Sequence, residues 1–105
     1  MDNTNYTIKS LPADDRPQEK LLKYGAGALS NSELIAVILR TGTREENVVM
    51  LSQRILKEGG KGLRNIAEGS LEKFKSYKGI SDAKAAKLMA LAEISKRMST
   101  LKIEK

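Results

Sequence analysis

The chain has 105 residues, with 19 lysines and arginines against 13 aspartates and glutamates, a formal net charge of +6, and no histidine, cysteine or tryptophan. Without histidine and cysteine, the sequence excludes a usual zinc site, a disulfide framework, a thiol nucleophile and an imidazole general base. We therefore expect a single domain that is not an enzyme by itself and that needs no cofactor.

The longest apolar stretch, Leu34 to Leu39, has six residues, whereas a membrane-spanning helix needs about 20. Residues 1–9 are polar and lack the apolar core of a signal peptide. These observations predict no membrane contact and a cytoplasmic location.

The first predicted elements are a flexible N-terminal arm over residues 1–15 and a helix that follows it. Asp15 is a suitable helix cap. Pro17 is tolerated in the first turn because the amide that proline lacks has no helical partner there. Gly25 is expected to end this helix.

The next two helices are predicted to form a first hairpin over residues 30–57. Ser30 and Glu33 have the spacing of a capping box, and an apolar run follows directly. We predict that Gly42 closes this helix by adopting a positive φ. Apolar residues then recur at helical spacing from Val48 until the next glycine pair.

A connecting helix over residues 62–68 and a second hairpin over residues 70–97 complete the predicted bundle. Ser70 is expected to cap the first helix of this hairpin, and an alanine-rich segment forms its second helix. The apolar stripe predicted to face the core is Leu71, Phe74 and Tyr77.

A shift of the chain by 37 residues superposes Gly42 on Gly79 and brings the two hairpins into register. The sequence thus predicts an all-α domain over residues 16–98, a small bundle of five or six helices with a tandem helix-hairpin-helix-like core. Residues 99–105 are expected to start a linker.

Basic residues are concentrated in the second half of the chain. Residues 1–56 hold seven basic and seven acidic side chains, whereas residues 57–105 hold twelve basic and six acidic ones, which accounts for the whole net charge. A polyanionic partner would therefore meet the second half. The alternative is a solvated lysine surface.

The second hairpin carries a recognisable pattern, which reads Leu-x-x-Phe-x-x-Tyr-Lys-Gly-Ile-Ser-x-x-Lys-Ala-x-x-Leu-Met from Leu71 to Met89. It resembles the helix-hairpin-helix motif of proteins that bind DNA without reading base sequence, in which turn amides and a helix N-terminus donate to a phosphate. Ile80 would anchor the turn, Ala85 would allow close helix approach, and Leu88 and Met89 would pack on the first helix. The predicted phosphate contacts are Lys78, Gly79, Ile80, Ser81, Lys84 and Lys87.

Ser81 stands where the helix-hairpin-helix motif has its second glycine. Serine caps helices well, but it resists a positive φ and adds bulk where DNA comes closest. Asp82 beside it places a carboxylate near the predicted phosphate. The alternative interpretation is that Gly79 only ends a helix and that the hairpin packs the core or contacts a protein.

The first hairpin offers a weaker candidate contact in its turn. The residues predicted to make this second DNA contact are Arg40, Gly42, Thr43 and Arg44. Two acids, Glu45 and Glu46, follow directly and reduce the positive potential, so the pattern favours a structural turn here over a binding site.

Several ordered motifs carry a family resemblance: Leu11-Pro-x-x-x-Arg16-Pro17-x-Glu19-Lys20-Leu21-Leu22, Gly25-Ala26-x-Ala28-Leu29-Ser30-x-x-Glu33-Leu34, Arg40-Thr41-Gly42-Thr43 and Lys78-Gly79-Ile80. Together they resemble the N-terminal domain of the RadC-like (UPF0758) family over about residues 8–97. The resemblance implies a DNA-binding accessory domain of a protein named for DNA repair, with double-stranded or branched DNA as partner. The alternative is a protein-interaction module.

Members of that family continue into a domain similar to JAB/MPN metallopeptidases, whose zinc site is built from two histidines and an aspartate. The resemblance implies that this domain is missing from the present segment and is its partner in the parent protein. Zinc and hydrolase chemistry are expected only there.

Overall fold

The computed structural model describes residues 16–101, which contain six α-helices and no strand. The helices are α1 (Pro17–Tyr24), α2 (Asn31–Leu39), α3 (Val48–Lys57), α4 (Arg64–Ala67), α5 (Leu71–Lys75) and α6 (Asp82–Ser99), with single 3₁₀ turns at Ala26–Ala28 and Glu58–Gly60. The predicted all-α fold is confirmed. The arm over residues 1–15 and residues 102–105 lie outside the described part. The N-cap of α1 is Arg16, so the predicted cap at Asp15 is wrong, whereas Pro17 does lie in the first turn.

No helix within residues 16–101 has both the length and the apolar character needed to cross a membrane.

The predicted capping box at the start of α2 is confirmed. The amide of Glu33 donates to Ser30 Oγ at 3.1 Å, and the amide of Ser30 donates to Glu33 Oε1 at 2.8 Å. This second bond is the main reason that the pKa of Glu33 is lowered, and Lys20 of α1 adds to it through an ion pair at 3.1 Å. The cap of α2 therefore also fastens α1 to the bundle.

The predicted role of Gly42 is wrong. Arg40, with φ 73°, is the residue of positive φ that ends α2, and Gly42 does not adopt a positive φ. Gly42 is instead required for space, because a Cβ atom there would lie 2.6 Å from the carbonyl carbon of Asn47 and 2.7 Å from the nitrogen of Val48. The α2–α3 loop folds back so closely on the start of α3 that no side chain fits.

Gly42→Ala is therefore expected to lower the free energy of unfolding by about 1–3 kcal/mol, since backbone atoms must move to admit the methyl group. Gly27→Ala is the matched control, because nothing lies within 4 Å of the added atom. Urea denaturation measures both, and equal midpoints for the two variants would contradict the crowding at Gly42.

The core lies between the two predicted hairpins. Helix α2 packs on α3, α5 packs on α6, and α6 also contacts α4 and α2. The side chains of Leu39, Leu51, Ile55, Phe74 and Leu88 have less than 2 % of their surface exposed. The bundle is thus one continuous core to which α2–α6 all contribute.

Two residues predicted for the core are on the surface: Leu71 is 47 % exposed and Met89 is 40 % exposed. Side chains on a helix lean toward the N-terminus of the helix. Leu71 is the first residue of α5, so its side chain extends beyond the N-terminal end of that helix. Helix α6 faces the core with Ala85 and Leu88, and Met89 lies about 100° farther around the helix.

Tyr77 is buried as predicted, but its hydroxyl has no hydrogen-bond partner among residues 16–101. Burial raises the pKa of this hydroxyl, and the charge of Glu58 raises it further. A buried hydroxyl without a partner reduces stability.

Tyr77→Phe is expected to leave the free energy of unfolding unchanged or to raise it by up to about 1 kcal/mol, because it removes this unpaired hydroxyl. Because the pKa of the Tyr77 hydroxyl is raised in the folded state, the hydroxyl loses its proton at lower pH in the unfolded state. The free energy of unfolding of the wild type should therefore fall as pH rises above about 10, and it should fall more steeply than that of the variant. Thermal melts across alkaline pH test this. A clear loss of stability at neutral pH would show that the hydroxyl is satisfied.

Candidate nucleic-acid interface

The two segments predicted as DNA contacts lie side by side. Lys84 Nζ on α6 donates to Thr41 Oγ1 of the α2–α3 loop at 3.0 Å. A Cβ atom on Gly79 would lie 2.7 Å from Thr43 Cγ2. The turn of the second hairpin therefore packs directly on the loop of the first.

Arg54 of α3 fastens the two segments together. Its Nε donates to Glu46 Oε1 at 3.1 Å, and its Nη2 donates to the carbonyl oxygen of Lys78. Sequence reasoning did not single out Arg54, because its position in α3 carries no local signal that distinguishes it from an ordinary surface arginine.

The turn before α6 uses one of the three amides predicted to bind phosphate. Gly79 has a φ of 92°, and Ile80 is 7 % exposed, so Ile80 is buried as predicted. The amide of Ile80 donates to the carbonyl oxygen of Tyr77 at 3.2 Å and closes the turn. The amides of Gly79 and Ser81 have no acceptor within the described part of the chain.

The suitability of Ser81 as a helix cap is confirmed, and the turn does not require a positive φ there. Ser81 has a φ of −75°, in the extended region that any residue adopts, so this position needs no glycine. Its hydroxyl accepts from the amide of Lys84 at 3.3 Å and caps α6. Serine therefore replaces the motif's second glycine without strain and supplies the cap of the helix.

Five cations of the candidate site make no ion pair with a carboxylate among residues 16–101. They are Arg40, Arg44, Lys78 and Lys87, which are exposed, and Lys84, which is half-buried. Two of the neighbouring acids are already neutralised, since Asp82 pairs with Lys75 and Glu46 with Arg54. The local potential is therefore more positive than the sequence order of the acids indicates.

Comparison with known proteins points to one family. The sequence profile described as UPF0758 N-terminal matches residues 8–86. A UPF0758 protein of Clostridium botulinum strain Hall is 52 % identical over 102 residues, which are 97 % of this chain and 44 % of the relative.

A UPF0758 protein of Clostridium kluyveri is 53 % identical over 98 residues, covering 93 % of this chain and 42 % of that protein. The chain thus spans less than half the length of these relatives. No solved structure matches it.

Proposed function

This chain belongs to the UPF0758 family, and we propose that it is an accessory domain that contacts the phosphate backbone of DNA without reading base sequence. The observation that carries the proposal is the group of five cations on the turn, the start of α6 and the adjoining α2–α3 loop that form no ion pair with a carboxylate among residues 16–101. Such a group attracts a polyanion in a way that depends on salt and not on sequence.

The turn supplies hydrogen-bond donors at the centre of this charge. The amides of Gly79 and Ser81 donate to no acceptor within residues 16–101, and α6 begins immediately afterwards at Asp82. Amides at the N-terminus of a helix favour a phosphate oxygen through hydrogen bonds and the helix dipole. Lys78 and Lys87 flank the turn with exposed ammonium groups.

Base recognition is not part of the proposal. Phe74 and Tyr77, the two aromatic residues of the second hairpin, are buried in the core. The hairpin therefore offers bases no aromatic surface on which to stack.

An NMR titration of the ¹⁵N-labelled chain with a random-sequence duplex tests the proposal. At about 50 mM salt the amides of residues 78–87 should shift, and at about 200 mM salt the shifts should shrink strongly, because counterion release drives the binding. An absence of shifts at the lower salt concentration would refute DNA binding by this domain.

Protein contact is the second candidate function, and the exposed apolar face of α6 favours it. Ile94 and Met98 of α6 lie four residues apart and are 54 % and 64 % exposed, and Leu101, just after the end of the helix, is 70 % exposed. They follow Leu91, which together with Leu63 of the α3–α4 connection lines a groove of about 250 Å³ between α4 and α6. The occupant would be the part of the longer UPF0758 relatives that this chain does not match.

Salt separates the two candidates. If the unmatched part of the C. kluyveri relative is added to the labelled chain, an apolar contact should shift the amides of residues 91–101 at low and moderate salt alike. Shifts that stay at residues 78–87 and vanish with salt would favour a charged contact instead.

A further inference from the structure

Arg40 is held in an unfavourable backbone conformation at the end of α2. Its φ is 73° and its ψ is −46°, and the amide of Thr41 donates to the carbonyl oxygen of Leu39 at 2.9 Å across it. This is a γ-turn of positive φ, which is strained for any residue with a side chain. Every other residue of positive φ within residues 16–101 is a glycine.

The strain at Arg40 indicates that its side chain has a function that glycine could not fulfil. Glycine would adopt this turn without a steric cost, and the loop already contains a glycine two positions later. The Arg40 side chain is exposed and forms no ion pair with a carboxylate in the described part of the chain. No ion pair of Arg40 within residues 16–101 therefore offsets the strain.

The position of Arg40 on the α2–α3 loop indicates what that function is. The next residue, Thr41, accepts a hydrogen bond from Lys84 Nζ, so Arg40 lies one residue from the contact with α6. Arg44 follows Thr43, which contacts the turn at Gly79. The loop that carries Arg40 and Arg44 therefore packs on the segment that carries Lys84.

We propose that Arg40, Arg44, Lys84 and Lys87 form one composite site that spans both hairpins and binds consecutive phosphates of a polynucleotide backbone. This inference rests on the proposed DNA-binding function and deepens it, because it makes the α2–α3 loop part of the same contact. Arg54 is the positioning residue, since it ties Glu46 of the loop to the carbonyl of Lys78.

The arrangement fits a chain of phosphates better than a single one. Its charges are spread over two hairpins, and the cavity of about 290 Å³ between the loop and the turn is lined by two acids and two cations, which are Glu45, Glu46, Arg54 and Lys78. This lining has no net charge, so the cavity offers an enclosed anion no excess of positive charge. Arg40 also lines a separate cavity of about 250 Å³ with Arg16 and Glu19, and because two of these three charged residues are cations, an isolated phosphate is the competitor to test.

The test compares Arg40→Gly and Lys84→Ala with wild type, using fluorescence anisotropy of a labelled duplex over a salt series. Each variant should weaken binding about three- to tenfold and reduce the salt slope by about 0.9, the value for one lost phosphate contact. Arg40→Gly should keep or raise the melting temperature, because the relief of strain offsets the greater freedom of glycine in the unfolded chain.

Lys57→Ala is the matched control. Lys57 is exposed, forms no ion pair within residues 16–101, and lies at the opposite end of the first hairpin, where it lines a surface pocket with Asn31 and Ser32. Its loss should leave both affinity and salt slope close to wild type. Inorganic phosphate should displace the duplex only at concentrations where ordinary salt does so.

Each result decides a different point. If Lys84→Ala weakens binding but Arg40→Gly does not, the composite site is wrong and the contact by the second hairpin stands. If wild type does not bind duplex at all, both proposals fail. If inorganic phosphate displaces the duplex at concentrations well below those at which ordinary salt does so, the ligand is an isolated phosphate and not a polynucleotide.

Discussion

Phe74→Ala is expected to lower the free energy of unfolding by about 3–5 kcal/mol, the range for removing a fully buried aromatic ring. Phe74 has no exposed surface. Its ring lies directly against Gly69. A Cβ atom added at Gly69 would overlap the ring and would lie 2.9 Å from the carbonyl oxygen of Asn65. Neighbours packed this tightly against the ring cannot collapse fully into the space that it leaves.

The matched control is Leu71→Ala in the same helix. Leu71 belongs to the stripe predicted for the core, yet it is 47 % exposed, so its loss should change stability by less than about 0.5 kcal/mol. Urea denaturation followed by circular dichroism measures both variants. Comparable losses in the two would show that α5 packs with a different face.

The second large effect concerns binding. Lys84→Glu combined with Lys87→Glu should reduce affinity for duplex DNA by at least about 100-fold at low salt, because it removes two phosphate contacts and places repulsive charges beside the turn. Lys87 is exposed and Lys84 is half-buried with its ammonium on Thr41. The loss of this hydrogen bond should lower the free energy of unfolding by only about 0.5–1.5 kcal/mol, so the variant should stay folded. Anisotropy titration and thermal melts measure the two quantities.

Net charge alone must be separated from position. The double variant Lys57→Glu with Lys96→Glu lowers the formal net charge of the chain by the same amount, from +6 to +2. Lys96 lies about 18 Å from Lys84 along α6, at 1.5 Å per residue. We expect this control to bind several times more weakly than wild type but far better than the variant at residues 84 and 87. Equal losses would show a diffuse charge effect with no site.

Features governed by local hydrogen bonds could be predicted from the sequence. The capping box at Ser30 and Glu33, the cap at Ser70 and the stop at Gly25 all occur where the pattern places them. Each depends on groups only three or four residues apart. The periodicity of the apolar residues likewise predicts the helices and most of the core, because one helix face must be buried.

Features that depend on distant neighbours could not be predicted. The pattern predicts a positive φ at Gly42, but the loop folds back on α3 and the strained residue is Arg40. The pattern also leaves open whether serine fits at position 81, where the turn needs only an extended residue. In both cases the path of the chain beyond the motif decides the conformation.

An all-α domain could be predicted from the sequence, together with the caps at Ser30 and Ser70, the family and the concentration of positive charge in the second half. These properties follow from composition, ordered motifs and interactions within a few residues. The shared surface of the first hairpin's loop and the second hairpin's turn could not be predicted, since the contacts between Lys84 and Thr41 and between Arg54 and Lys78 span 43 and 24 residues. Contacts at such separations depend on how the helices pack, and no local pattern in the chain specifies them.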